Sequence, residues 1–274
     1  MKDLIGEMNI FKLFAYLLCI FIILAVTNCA VVDKKSEEPE KGFDLLSDKE
    51  EMKFGHYVDA RIQKDFLVLS PEKHPEIYQA IEKMGQSLVK VSDRPNLKYT
   101  FKILSTDFVN AFAGPGGYIY LTTGLLEFAE TKDEVVGVMA HELGHISARH
   151  VVKQYRNVSY AQTLSMPMVW GGKLIGADIL GNVSHFSALF FMQGYSREYE
   201  RQADYLGVKY MHAVNYNPEG MVSFLRRIWD EKEREKKEGV LETFLRSHPE
   251  TLERIKDIEK HIEEFKGKDP AIIK

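Results

Sequence analysis

The feature that most constrains this chain is His141-Glu142-Leu143-Gly144-His145, set inside a run of helical periodicity. Side chains four apart on a helix share a face, one turn apart. Two imidazoles placed this way can reach one tetrahedral ion at about 2.0–2.1 Å. Glu142 follows the first histidine, so it sits beside such an ion and not on it. There it can act as a general base toward water. Val135-Val136-Gly137-Val138-Met139-Ala140 leads into the motif, so the helix should be largely buried. A glutamate flanked by two histidines is costly to bury without a partner such as a metal site. At least one more ligand must come from another part of the chain.

Composition limits where that ligand can come from. The only two cysteines, Cys19 and Cys29, lie near the N-terminus in or just after an apolar run. An all-cysteine zinc site and a disulfide framework are both excluded, so any metal must use histidine and carboxylate ligands. The segment Glu198-Tyr199-Glu200-Arg201-Gln202-Ala203-Asp204 offers three acids in a helical pattern. Glu200 and Asp204 are four apart and share a face. One can bind the metal while the other accepts the free N–H of a ligand histidine, fixing its tautomer. At 274 residues, with 45% hydrophobic and 28% charged, the chain can build a core unaided. Its net charge of −4 gives no basic excess and argues against a nucleic-acid partner.

The pattern along the chain predicts a mostly helical α+β domain over 48–274. Helices are expected at Asp48–Leu69 and Pro75–Val91, then a strand at Lys98–Leu104. Gly114-Pro115-Gly116-Gly117 reads as a turn into a second strand, Tyr118–Leu121. A short helix, Thr123–Glu130, is followed by Thr131-Lys132-Asp133-Glu134, a capping box opening the motif helix through Tyr155. A mostly apolar stretch covers Tyr160–Gly194 and contains His185. It reads as core-packing helices, with a mobile apolar lid over the cleft or a surface touching membrane or unfolded clients as the alternatives. Further helices are expected at Ser196–Val214, Pro218–Lys236 and Pro249–Phe265. His150 lies five residues past His145, about 140° further round a continuous helix, so it reads as structural or as a support for the ligands.

The N-terminal segment is of another kind. Leu13–Val26 is uncharged and about 14 residues long, short for a bilayer span and suited to a secretory signal. Val26-Thr27-Asn28-Cys29 resembles a bacterial lipobox, which makes residues 1–28 a signal peptide and Cys29 the site of lipid attachment. Ala30 after the cysteine resembles proteins sent to an outer membrane. Residues 29–47 are polar and read as a tether. Export by this route predicts a place in the bacterial cell envelope, on the periplasmic side of the outer membrane.

The later motifs make the chain recognisable. They are Asn110-Ala111-Phe112-Ala113 through Gly116–Tyr120 with Gly124-Leu125-Leu126; the His141–His145 motif with His150; Tyr195-Ser196-Arg197 with Glu200, Ala203 and Asp204; and Ser247-His248-Pro249 with Leu252, Arg254 and Ile255. In order and spacing they resemble the M48 family of zinc peptidases. The resemblance implies a gluzincin-like fold, one Zn2+, Glu200 as third ligand and Asp204 as the carboxylate behind a ligand histidine. It also implies that Gly117, Tyr118, Ile119 and Tyr120 form an edge strand that lines the cleft and binds extended substrate. His248 matches a histidine that in some envelope members takes a fourth metal position and holds the enzyme off. It is also a candidate oxyanion stabiliser, beside Arg201 and Arg254.

The expected activity is an endopeptidase acting on misfolded or unassembled envelope proteins. Its partners are then polypeptide substrates, a membrane through the lipid anchor and envelope assembly machinery. A metal-bound chaperone or assembly factor with little proteolysis is the competing function. The intact Glu142 favours the peptidase, because a pure binder needs no base.

Overall fold

In the computed structural model, residues 46–155, 194–234, 241–249 and 251–269 are described. The leader, Cys29, the tether through residue 45 and the apolar stretch through residue 193, His185 included, lie outside them. Among the described residues the fold is mostly helical around one small sheet. No described helix is long and apolar enough to cross a membrane.

Helix α1 (Asp48–Asp65) starts at a capping box: Ser47 accepts from the Glu50 N–H, and Glu50 reaches back to the Ser47 N–H. It ends before the expected Leu69 because the next residues are taken by the sheet. Phe66 is extended, Val68 bridges to Leu104, and Leu69 N–H donates to the Ile103 carbonyl. Helix α2 (Pro75–Val89) opens with proline in its first turn, where the missing N–H costs nothing.

The sheet contains β1 (Thr100–Leu104), β2 (Ala111–Gly114) and β3 (Tyr118–Thr122) in the order β1-β3-β2. β3 pairs parallel with β1 and antiparallel with β2. The strand expected to be an edge is therefore the central one, with both sides occupied. Among the described residues the edges are β1 and β2, and β2 is a four-residue strand with no counterpart among the expected elements. Too short to show its alternation, β2 was hidden beside Pro115–Gly117, where the chain turns. Gly116 and Gly117 there have φ of 72° and 93°, conformations that suit glycine.

Side chains alternate across this sheet. Ile119, Leu121, Ala111, Ala113, Phe101 and Ile103 join the main core with the motif helix. Tyr118, Tyr120 and Phe112 join a second cluster with Phe54, Val58 and Ile62 of α1. After β3 come α3 (Thr123–Phe128), α4 (Lys132–Ser147), α5 (Arg197–Ala213), α6 (Glu219–Arg234), α7 (Glu242–Ser247) and α8 (Thr251–Phe265). Helix α7 was not foreseen. Helix α4 stops at Ser147, short of the expected Tyr155, because Arg149 adopts a left-handed φ of 58° before helical structure resumes at 150–155. Thr131 caps α4 as expected by accepting from the Glu134 N–H. The Glu134 carboxylate, however, receives the N–H of Glu130 and not that of Thr131.

Candidate metal centre

Two helices bring the site together. α4 supplies His141, Glu142 and His145; α5 supplies Glu200 and Asp204. Their approach is close because Gly144 faces Ala203. A Cβ on Gly144 would stand 2.8 Å from the Ala203 carbonyl oxygen, so any side chain there would push α5 away. α5 opens at Ser196, whose hydroxyl accepts from the Tyr199 N–H, and this places Glu200 in the first helical turn.

The donor atoms converge. His141 Nε2 and His145 Nε2 are 3.0 Å apart. Glu200 lies 3.5 Å from His141 Nε2 through Oε2 and 3.3 Å from His145 Nε2 through Oε1. Tetrahedral bonds of about 2.05 Å put neighbouring donors about 3.3 Å apart, so these spacings suit one cation. His248, at the end of α7, joins them: its Nδ1 is 3.2 Å from Glu200 Oε2 and its Nε2 is 3.5 Å from Glu142 Oε1. Ligand-type atoms of His141, His145, Glu200 and His248 all lie within 4.8 Å of one another, and all four residues are buried. The donor set and spacing fit a divalent metal such as zinc.

Behind the donors stands a second layer. His141 Nδ1 is 2.9 Å from Asp204 Oδ1. Arg254, on α8, pairs with both Asp204 oxygens at 2.7 and 2.8 Å, and its Nη1 is 2.8 Å from Glu200 Oε2. It clamps the two carboxylates from behind, so it is not the oxyanion stabiliser the sequence reading considered. Arg201 is not one either: half-exposed, it pairs with Glu253 and Asp257 on the surface. On the other side, His150 Nδ1 is 2.9 Å from His145 Nδ1. Tyr195 stacks on the His145 ring with centroids 3.9 Å apart, and its buried hydroxyl has no hydrogen-bond partner.

Electrostatics follow from this packing. Burial would raise Asp204 and Glu200, but the Arg254 guanidinium reverses it, holding Asp204 at about 2 and Glu200 well below the carboxylate range. Burial and Arg254 oppose charge on His141, yet Asp204 and Glu200 prevail and lift it to about 9. Burial takes His145 well below its usual value and His150 down to about 4. Glu142 is pushed up by burial, partly countered by His248 and His141. Neither Glu142 oxygen has a hydrogen-bond partner.

The sheet edge completes the site. Thr122 N–H donates to the Asn110 carbonyl, which sets the β2–β3 pattern. By alternation, the backbone groups of Ala111 and Ala113 point away from β3, toward an edge that is unpaired among the described residues. Asn110 Oδ1 takes the Ala111 N–H, and the Ala113 N–H favours the charged form of Glu142. Gly117–Tyr120, in contrast, present no open edge. Sequence reasoning missed the places of Ala113 beside Glu142 and of Tyr195 against the His145 ring. The Asn110–Ala113 and Tyr195–Arg197 motifs were the available signals, but neither motif tells which side chain its residues touch.

The chain matches Peptidase family M48 over residues 75–262. It is similar to the beta-barrel assembly-enhancing protease of Escherichia coli K12, with 24% identity over 216 residues, 74% of this chain and 43% of that protein. It is also similar to the mitochondrial metalloendopeptidase OMA1 of Schizosaccharomyces pombe, with 26% identity over 72% of this chain and 56% of that protein. OMA1 of Saccharomyces cerevisiae matches at 25% identity over 84% of the chain and 68% of that protein. The chain thus spans about half the length of the first two.

Proposed function

The chain belongs to peptidase family M48, and from that premise we propose that it is a zinc-dependent endopeptidase in which His141, His145 and Glu200 hold the metal. The observation that carries this is Glu142. A buried carboxylate with no hydrogen-bond partner, next to four converging ligand-type side chains, is expensive for stability and useful for proton transfer. When bound, the cation supplies Lewis acidity, making water more acidic and a peptide carbonyl more electrophilic.

The chain's own groups do the rest. Glu142 accepts the proton of the attacking water and returns it to the leaving nitrogen, and its raised pKa suits both halves of that transfer. Asp204 orients His141, and Arg254 offsets part of the charge of Asp204 and Glu200. The free edge of β2 pairs with an extended polypeptide, leaving side-chain specificity modest. The substrate strand is thus assigned to Ala111–Gly114 in place of Gly117–Tyr120. Misfolded or unassembled proteins of a bacterial envelope fit this mode of binding, because they present extended backbone. A relative named for enhancing beta-barrel assembly supports that setting, as do the expected leader and lipid attachment at Cys29.

Two experiments test the reading. Wild type should digest casein and contain zinc, whereas Glu142→Ala should keep the metal and lose digestion, and His141→Ala should lose both. Equal digestion by wild type and Glu142→Ala, or none by either, would remove the peptidase and favour the chaperone. A ligand-type atom of His248 lies within 4.8 Å of those of His141, His145 and Glu200, which supports a restraining role. If it restrains the enzyme, His248→Ala should raise basal turnover of a peptide substrate; unchanged or lower turnover counts against the restraint.

A further inference from the structure

The two motif histidines are supported in different ways. His141 Nδ1 faces a carboxylate, Asp204, at 2.9 Å. His145 Nδ1 faces another imidazole, His150 Nδ1, at 2.9 Å. The chain of contacts continues: His150 Nε2 is 3.0 Å from Gln202 Oε1. Tyr199 stacks on the His150 ring at 4.2 Å, nearly parallel at 9°. His150 is fully buried, whereas Gln202 is exposed. The contacts therefore lead from the buried donors to the protein surface.

Backbone strain at Arg149 makes this contact. On a continuous helix, a residue five further on points about 140° away. The helix breaks at Arg149, whose left-handed φ of 58° is unfavourable for a side chain with a Cβ. Its guanidinium is anchored on Glu51 at 2.9 Å and on the Leu46 carbonyl. The break turns His150 back onto His145. Strain of this kind persists only where the surroundings hold it in place.

Proton order follows from elementary valence. Two nitrogens 2.9 Å apart share one proton when both rings are neutral. A histidine that offers Nε2 to a cation carries its proton on Nδ1. His150 Nδ1 must then accept, which leaves the His150 proton on Nε2, directed at the Gln202 carbonyl oxygen. We propose that His150 and Gln202 form a neutral relay that fixes His145 in its Nδ1–H tautomer and sets how tightly the site holds its metal. The inference rests on the reading that His145 Nε2 is a metal ligand. His150 and Gln202 are positioning residues, because neither touches the reacting atoms.

Zinc affinity of the full chain, measured by competition with a chromophoric chelator, tests the relay without reference to turnover. Gln202 carries the test because it is exposed and its replacement leaves packing intact. Gln202→Leu should weaken zinc binding severalfold. Gln202→Glu should tighten it, since a carboxylate accepts the His150 proton more strongly. Melting temperatures of the metal-free Gln202 variants should match wild type. His150→Leu should cost about 10–100-fold, the usual penalty for removing the partner of a ligand histidine. His150→Asn, whose Oδ1 can stand where Nδ1 accepted, should recover most of that loss. The order Glu above Gln above Leu at position 202 supports the relay, and a purely structural role would not produce it. Affinities within twofold at position 202, or equal weakening by Glu and Leu, overturn the relay while the metal site stands. A wild type that takes up no zinc overturns the site and the relay together.

Discussion

Helix α4 carries two buried glutamates, Glu134 in its first turn and Glu142 in its third, each 1% exposed. They share a helix and a degree of burial but not a fate. Glu134 accepts from Ser223 Oγ at 2.8 Å, from the Glu130 N–H at 2.8 Å and from the Arg227 guanidinium. Glu142 has no partner at hydrogen-bond distance; His248, whose Nε2 is 3.5 Å away, His141 and the Ala113 N–H favour its charge. An ionised carboxylate out of water costs several kcal/mol unless it is paired, so the fold compensates Glu134 with close partners and Glu142 only in part. Position in the helix explains the difference. The N-terminal end meets Arg227 and Ser223 of α6, while the third turn meets donor atoms suited to a cation and the open edge of β2. Stability is spent where proton transfer is needed.

Exchanging the carboxylate for an amide would test that contrast most severely. Glu142→Gln should lower peptide hydrolysis about 10²–10⁴-fold, the usual worth of a general acid–base group. It should leave the melting temperature equal or higher, because it removes an unpaired buried charge. A fall in melting temperature together with activity would mean that Glu142 is structural after all. The matching change at the other end has the opposite signature. Glu134→Ala leaves Arg227 without its buried partner and should cost about 3 kcal/mol in urea unfolding. Turnover per folded molecule should stay the same.

The contrast was only half legible in the sequence. Residues four apart on one helix must share a face, so His141 with His145, and Glu200 with Asp204, were fixed by periodicity alone. Placing the two pairs together needed more. The approach of α5 to α4 depends on Gly144 lying against Ala203, a long-range contact that no local pattern encodes. The family resemblance supplied it. Glu134 and Glu142 looked alike in the sequence, since their partners lie on α6, on β2 and at the end of α7. The sheet was misread for a related reason. The family resemblance gave β3 the role of edge, although burial on both faces is the mark of a central strand. Arg254 and Arg201 looked equivalent as cations, and only the fold separates the clamp from the surface residue.

Arg254 sharpens the comparison further, because its charge and a bound metal's charge do related work. Both face Glu200, but only Arg254 faces Asp204 with a bidentate pair. Arg254→Met should therefore destabilise the chelator-treated protein by about 3 kcal/mol, the scale of a broken buried ion pair. With zinc in excess the loss should shrink, since removing the positive charge beside Glu200 lets the variant bind the cation more tightly, and tighter binding adds more to the folded state. Thermal melts with and without zinc measure both numbers. An equal loss in the two conditions would separate Arg254 from the metal centre energetically.

The smallest effect should come from the cap that opens α4. Thr131 Oγ accepts from the Glu134 N–H at 3.2 Å, one of the helix-start donors that have no partner within the helix. Thr131→Ala removes that bond and should cost about 1 kcal/mol. The glutamate whose backbone it caps keeps its side-chain partners on α6, so the first turn should hold. Three turns later, the spacing of His141, His145 and Glu142 depends on packing against α5 and β2 and not on how the helix begins. Zinc content and turnover should therefore be unchanged while the urea midpoint falls slightly. A loss of turnover larger than the loss of stability would show that the two ends of α4 are coupled, and that the division between the compensated and the partly compensated glutamate is less clean than their contacts make it.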